Sequence, residues 1–200
     1  TADTWILEKD TQKLLDILEQ KSVPLIDILG NKTIENGIQT SANAVYIHKP
    51  IRTDDNFVYF EYAGIEYQVE TELTRPYFKT GRGEDTLYTY RDVQPNAFVI
   101  YPYRKVDNRV VLVEYDVLRQ TYPRLFDFLH VIRDKLDNDK RDIQPEPTST
   151  NEWYRYGRSQ SLENCDAPLK IVVGVLSSGY KYSIDRKRTF ISSGGTAGYC

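Results

Sequence analysis

At two hundred residues, 40% hydrophobic and 28% charged, the chain has the composition of an ordinary globular domain. Two cysteines, Cys165 and the terminal Cys200, and two histidines, His48 and His130, are too few for a disulfide framework, a multi-cysteine zinc site or a histidine-rich metal centre. The net charge of −3 is split unevenly, with 10 basic and 16 acidic side chains in residues 1–100 but 7 basic and 3 acidic in residues 153–200, so any electropositive face is expected in the second half.

In chain order, Leu14, Leu15, Ile17 and Leu18 follow helical spacing. They predict a first helix of about 10 residues that Asp10 or Thr11 caps and that ends before Pro24. Leu25 to Ile28 with Leu29-Gly30-Asn31 reads as a short element and turn, and Val45-Tyr46-Ile47 as a strand. Phe57-Val58-Tyr59-Phe60 and Ile65-Glu66-Tyr67-Gln68-Val69 read as two strands joined at Ala63-Gly64, a hairpin. A polar, turn-rich stretch over 74–96 precedes a strand over Ala97-Phe98-Val99-Ile100-Tyr101 that stops at Pro102. Tyr122, Leu125, Phe126, Leu129, Ile132 and Leu136 predict one helix from about 121 to 137, with Pro123 in its first turn and this face in the core. Residues 142–151 form a loop leading to Trp153. Lys170-Ile171-Val172-Val173-Gly174-Val175-Leu176 predicts a buried strand, and Tyr180-Lys181-Tyr182-Ser183-Ile184-Asp185 its partner. Helices and strands mix without strict alternation, which predicts an α+β fold: mixed, largely antiparallel sheets with a few packed helices in a single domain.

Catalytic signatures are weak. Gly81-Arg82-Gly83 and Gly194-Gly195 lack the spacing and following helix of a phosphate-binding loop. The acidic residues are scattered rather than paired. Cys165 has no local support as a nucleophile, and Glu70, Glu72 and Lys79 are a set that any charged chain produces by chance. No apolar run approaches the roughly 20 residues of a membrane span, and the start lacks a signal-peptide pattern, so a cytoplasmic protein is expected. A chain without Met that starts at Thr1 and stops at Cys200 is expected to be a segment of a longer protein. Sixteen tyrosines suit either a recognition surface or half-buried strands.

Four segments carry a resemblance. Trp5-Ile6-Leu7, the Leu14-Leu15 helix and Pro24-Leu25 lead into Gly37-Ile38-Gln39-Thr40-Ser41-Ala42-Asn43-Ala44-Val45-Tyr46. Phe98-Val99-Ile100-Tyr101-Pro102-Tyr103 is the second, and Tyr122-Pro123 with the helix to Leu136 and Lys140-Arg141-Asp142 the third. Trp153-Tyr154-Arg155-Tyr156-Gly157-Arg158-Ser159-Gln160 followed by Lys170-Ile171-Val172 is the fourth. Their order and spacing over residues 5–185 resemble the TaqI-like C-terminal specificity domain of adenine-N6 DNA methyltransferases and type IIG restriction enzymes, with Ser41 standing where that family usually has a second Gly. The resemblance implies one DNA target-recognition domain over residues 1–200, without catalytic residues, cofactor or metal of its own. Its partners would be double-stranded DNA and a methyltransferase domain elsewhere in the parent protein. That parent would hold S-adenosylmethionine, and magnesium if it contains a nuclease.

Arg is the best donor to guanine, and Gln and Asn match adenine. The expected DNA-contacting residues are Gln39, Thr40 and Ser41 at the first glycine turn, Tyr103 and Arg104 beside the second segment, and Trp153, Tyr154, Arg158 and Ser159 as a basic, aromatic surface patch. Arg186, Lys187 and Arg188 are expected phosphate contacts. Arg141 reads as a helix-end charge or a fold-stabilising ion pair. The alternative is a protein-interaction module that docks a partner subunit, with an independent enzyme third.

Overall fold

The computed structural model describes residues 9–24, 27–28, 35–79, 91–107, 109–136, 141–159, 161–174, 181–192 and 198–199. The chain divides into two compact units, Thr1–Ile34 and Glu35–Cys200. In the first, helix α1 (Lys9–Lys21) carries the predicted apolar spacing. Asp10 and Thr11 lie inside its first turn rather than ahead of it. It closes where the Ser22 N–H and hydroxyl both donate to the Leu18 carbonyl, at 2.8 and 2.6 Å. Trp5-Ile6-Leu7 and the Leu29-Gly30-Asn31 turn lie outside the described residues.

The second unit is α+β, as expected. Helical turn α2 (Asn43–Tyr46) runs into strand β1 (Ile47–His48), which pairs with β6 (Ala97–Ile100), which in turn pairs with β5 (Thr74–Tyr77), all antiparallel. From β5 a chain of single pairings carries the backbone ladder further. Phe190 donates to the Pro76 carbonyl at 2.7 Å, Ile38 to Ile191 at 2.8 Å, Arg158 to Gln39 at 3.0 Å and Gln144 to Gly157 at 2.7 Å. Segments distant in sequence are thus knitted one after another onto the edge of a regular sheet.

Strands β2 (Arg52–Thr53), β3 (Phe57–Tyr62) and β4 (Ile65–Glu70) form an antiparallel meander. The β3–β4 hairpin turns as predicted at Ala63 and Gly64, both with positive φ (52° and 80°), the geometry that two-residue hairpin loops favour. Helix α3 (Tyr115–Thr121) precedes α4 (Pro123–Val131), whose first N–H groups would otherwise lack partners. The Glu70 carboxylate supplies them, accepting from Arg124 at 2.9 Å and Leu125 at 2.8 Å, and so ties the helix to the meander. Hairpin β7–β8 (Tyr103–Val106, Arg109–Leu112) follows β6. After helical turn α5 (Leu162–Cys165), β9 (Lys170–Gly174) pairs antiparallel with β10 (Tyr182–Asp185), as expected, and with β11 (Gly198–Tyr199), but it is not buried throughout, since Lys170 and Val172 are buried and Ile171 is exposed.

Three expectations are corrected. The stretch 74–96, read as a polar connection, opens as strand β5, and Tyr77, Phe78 and Val93 within it are buried. The Val45-Tyr46-Ile47 strand is one turn of helix followed by a two-residue strand. The Thr40 hydroxyl accepts the Ala42 N–H at 3.1 Å and donates to the Asn43 side chain at 2.6 Å, which closes the chain into a turn before extended backbone begins. The single helix over 121–137 ends at Val131 and continues as a 3-10 turn, Arg133–Lys135. Its core face is as expected: Leu125, Leu129 and Leu136 are fully buried and Ile132 nearly so, while Tyr122 and Phe126 pack against the core partly exposed.

His48 sits inside this core, its ring 4.3 Å from that of Phe60 and 6.0 Å from that of Phe128. Its Nε2 lies 2.7 Å from the Val45 carbonyl, a distance at which Nε2 carries the proton and donates. Burial lowers its pKa from 6.5 to about 4, opposed by the Val45 hydrogen bond and aided by the charge of Lys79. The imidazole is therefore neutral in the folded state, and acid favours the unfolded chain. The stability it confers is complete above pH 6.5 and declines as pH falls towards 4, by about 2–3 kcal/mol. Comparing thermal melts of the native chain and His48→Gln between pH 7 and 4 checks this: the variant should lose part of the acid sensitivity, and parallel curves would contradict it.

Candidate nucleic-acid interface

The first and fourth resemblance segments meet. Gly37 approaches residues 191–192 so closely that a Cβ there would lie 2.7 Å from the Ser192 carbonyl carbon and overlap the Ile191 carbonyl oxygen. Ser41 adopts φ 55°, a left-handed conformation that glycine enters without strain. This accounts for the glycine that the resemblance leads one to expect at that position. Opposite it, Gly157 gives its N–H to the Thr40 carbonyl at 3.0 Å. A Cβ on Gly157 would overlap the Ser41 side chain and lie 2.7 Å from the Asp142 carbonyl oxygen. The Ser41 hydroxyl donates to that same carbonyl at 3.2 Å. The Arg158 guanidinium pairs with the Asp142 carboxylate through Nη2. Residues 37–41, 142–144 and 157–159 thus form one junction. It presents Ser41, Asp142, Gln144 and Ser159 exposed and Gln39 and Arg158 half-buried.

Other expected contact residues are core. Thr40 is fully buried and shapes the turn into α2. Tyr103, Trp153 and Tyr154, with Tyr156, are buried as well, so the aromatic surface patch expected around Arg158 does not form. The physical reason is a network in which each phenol finds a partner away from water. The Tyr46 hydroxyl donates to the Tyr154 carbonyl at 2.8 Å, Tyr154 to Val113 at 2.5 Å and Tyr156 to Ile100 at 2.5 Å, while the Tyr103 oxygen accepts the Tyr156 N–H at 2.7 Å. Edge-to-face ring contacts of 5.0 Å join Tyr156 to Tyr46 and to Tyr103. Burial holds the pKa of all four phenols above the ordinary tyrosine value, so they remain neutral. Arg141, expected at a helix end, donates there to the Leu136 carbonyl at 3.0 Å. It also donates to those of Trp153 at 2.5 Å and Arg155 at 2.8 Å, and so fixes the 141–159 loop from inside. Arg104 is exposed on β7, 3.5 Å from Glu114.

The basic run 186–188 is exposed and its backbone is firmly built. Asp185 accepts from the Lys187 N–H at 3.0 Å and the Thr189 N–H at 2.7 Å. Its charge is balanced by Lys170, directly opposite in the β9–β10 register and 2.7 Å away. Burial alone would raise the Asp185 pKa, but these hydrogen bonds and the Lys170 ammonium outweigh it and hold it below the usual value. Around the loop, Arg186 lies 3.7 Å from Asp92, Lys187 donates to Gln94 at 2.6 Å, and Arg188 donates to the Asp166 carbonyl at 3.0 Å.

Glu70 caps α4 and Glu72 accepts the Tyr122 hydroxyl at 2.7 Å, so this pair of carboxylates has structural partners. Cys165 is buried, and its carbonyl accepts the Lys170 ammonium at 2.8 Å. Among the described residues no three His, Cys, Asp or Glu side chains gather as a metal site, and no helix is long and apolar enough to cross a membrane. The two glycine stretches, 81–83 and 194–195, lie outside the described residues. Asp142 and Gln144 are the junction residues that sequence reasoning missed. Nothing local marks them, because their role comes from pairing with residues 157 and 158.

No protein-family model matches the chain. Over 199 residues, 99% of its length, it is 59% identical to part of an Escherichia coli protein described as "Type II restriction enzyme and methyltransferase RM.Eco57I". The chain is a homologue of that segment. It spans 20% of the length of the curated relative it matches.

Two outcomes follow from this geometry. Gly157→Ala should cost about 1–3 kcal/mol in chemical denaturation, as overpacking does. Ser41→Gly should recover part of that loss by removing the atoms the new methyl meets; strictly additive effects would contradict the contact. Lys170→Met should cost about 3–5 kcal/mol, because it strands the buried Asp185 charge. Adding Asp185→Asn, which keeps an acceptor for the loop N–H groups but removes the charge, should restore part of it. A double variant whose loss equals the sum of the two single losses would show that the pair is not coupled.

Proposed function

We propose that this chain is a target-recognition domain: it reads a short sequence in double-stranded DNA on behalf of adenine-N6 methyltransferase and endonuclease activities carried elsewhere in the same polypeptide. The observation that carries the reading is the end-to-end identity with one fifth of a protein that both restricts and methylates. An enzyme of that kind needs a part that chooses the site as well as parts that do the chemistry. S-adenosylmethionine and magnesium belong, in this reading, to the remainder of the polypeptide.

The geometry supports a division of labour between two surfaces. The junction offers hydrogen-bonding side chains of mixed donor and acceptor character, Gln39, Ser41, Asp142, Gln144, Arg158 and Ser159, on backbone that pairs across three segments. That is the equipment of base-edge readout. The loop at 186–188 offers three adjacent cations on a backbone fixed by Asp185, which suits phosphate contact. Phosphate contacts set affinity and its dependence on salt; base contacts set sequence.

Selection from a random-sequence duplex library, with the full-length polypeptide that carries this chain, tests the reading. One short motif should be enriched, with binding that falls steeply as salt rises. Replacing Arg186, Lys187 and Arg188 together by Ala should weaken binding to all sequences alike and reduce the slope of log affinity against log salt by roughly 3. Enrichment of no motif would refute sequence reading. A triple variant that changed the motif but not the salt slope would refute the phosphate role.

A further inference from the structure

The Asp142–Arg158 ion pair lies within the junction proposed to read base edges, and its chemistry narrows what that junction can read. Its side chains are 66% and 30% exposed, and a pair this open to solvent adds little to stability. Its position is nonetheless fixed from both sides. The Arg158 N–H donates to the Gln39 carbonyl at 3.0 Å, the Asp142 carbonyl accepts the Ser41 hydroxyl at 3.2 Å, and Gly157 packs against both Ser41 and Asp142. Arg158 engages Oδ2 of Asp142 through Nη2. Among the described residues this leaves Nη1 and the second Nη2 hydrogen of Arg158, neighbours on one edge of the guanidinium, as donors, and Oδ1 of Asp142 as an acceptor on the same ion pair.

That ordered pattern of donors next to an acceptor complements one base pair. In the major groove guanine shows two acceptors, O6 and N7, and its cytosine partner shows the N4 amino donor beside them. An A·T pair mismatches it, since adenine brings its N6 amino group towards a guanidinium and thymine brings O4 towards a carboxylate. Resting on the DNA-reading role proposed above, we infer that Asp142 and Arg158 together read a single G·C base pair. Arg158 donates to guanine, while Asp142 both orients the guanidinium and accepts from cytosine N4.

The test uses the full-length polypeptide that carries this chain and compares motifs selected from random duplexes by the wild type, Arg158→Ala and the nearly isosteric Asp142→Asn, with a thermal melt of each. Both variants should lose discrimination at the same G·C position, by roughly 10- to 100-fold, while the other positions keep theirs. Asp142→Asn should melt close to the wild type, which separates the effect from misfolding. Uniform weakening at all positions, or an unchanged motif in Asp142→Asn, would overturn the inference while leaving the domain a sequence reader. A wild type that selects no motif would overturn both.

Discussion

Two backbone hydrogen bonds, from Gly157 to the Thr40 carbonyl and from Arg158 to the Gln39 carbonyl, each 3.0 Å long, set the separation on which the junction depends. They bring strands of irregular chain so close that Gly157 has no room for a β-carbon, just as the neighbouring Ile38–Ile191 hydrogen bond leaves none at Gly37. The Ser41 side chain fills the space at Gly157 and reaches the Asp142 carbonyl, and Ser41, Asp142, Gln144 and Ser159 are all exposed. The same approach brings Asp142 and Arg158 within reach of each other.

Loops of this kind usually carry mobile side chains, because few buried groups hold them down. Here the 141–159 loop is anchored on its inner side. Arg141 spends its donors on three carbonyls of the loop and the preceding helix end. Trp153, Tyr154 and Tyr156 fill the space beneath it, and the tyrosines are hydrogen-bonded to neighbouring elements. A buried phenol without a partner costs free energy, so a satisfied set of them admits few alternative arrangements. The aromatic residues thus act on the site through rigidity: they hold the backbone from which Arg158 projects, and they take no place on the surface themselves.

The sequence is legible where structure is local and periodic. The β3–β4 hairpin shows in its Ala63-Gly64 turn, the β9–β10 pair in the apolar run that begins at Ile171, and the core face of α4 in its three- and four-residue spacing. Where a side chain bends the chain against its pattern the reading fails, as with Thr40 turning Val45 and Tyr46 into helix. Short motifs located the two glycine segments of the junction, because close approach leaves a trace in residue type. They could not distinguish an exposed Tyr from a buried one, since the partners of Tyr103, Tyr154 and Tyr156 lie 41 to 56 positions away. Asp142 and Gln144 were invisible for the same reason: their neighbours are set by pairings between distant segments.

We propose that bases are contacted at residues 37–41, 142–144 and 157–159. Photo-cross-linking measures it most directly, using a duplex that carries halogenated pyrimidines throughout the selected site and the full-length polypeptide, with cross-linked peptides mapped by mass spectrometry. Cross-links are expected in those three segments and should disappear when the site is scrambled. Sequence-dependent cross-links confined to other surfaces, such as the β2–β3–β4 meander, or to parts of the polypeptide outside this chain, would contradict it.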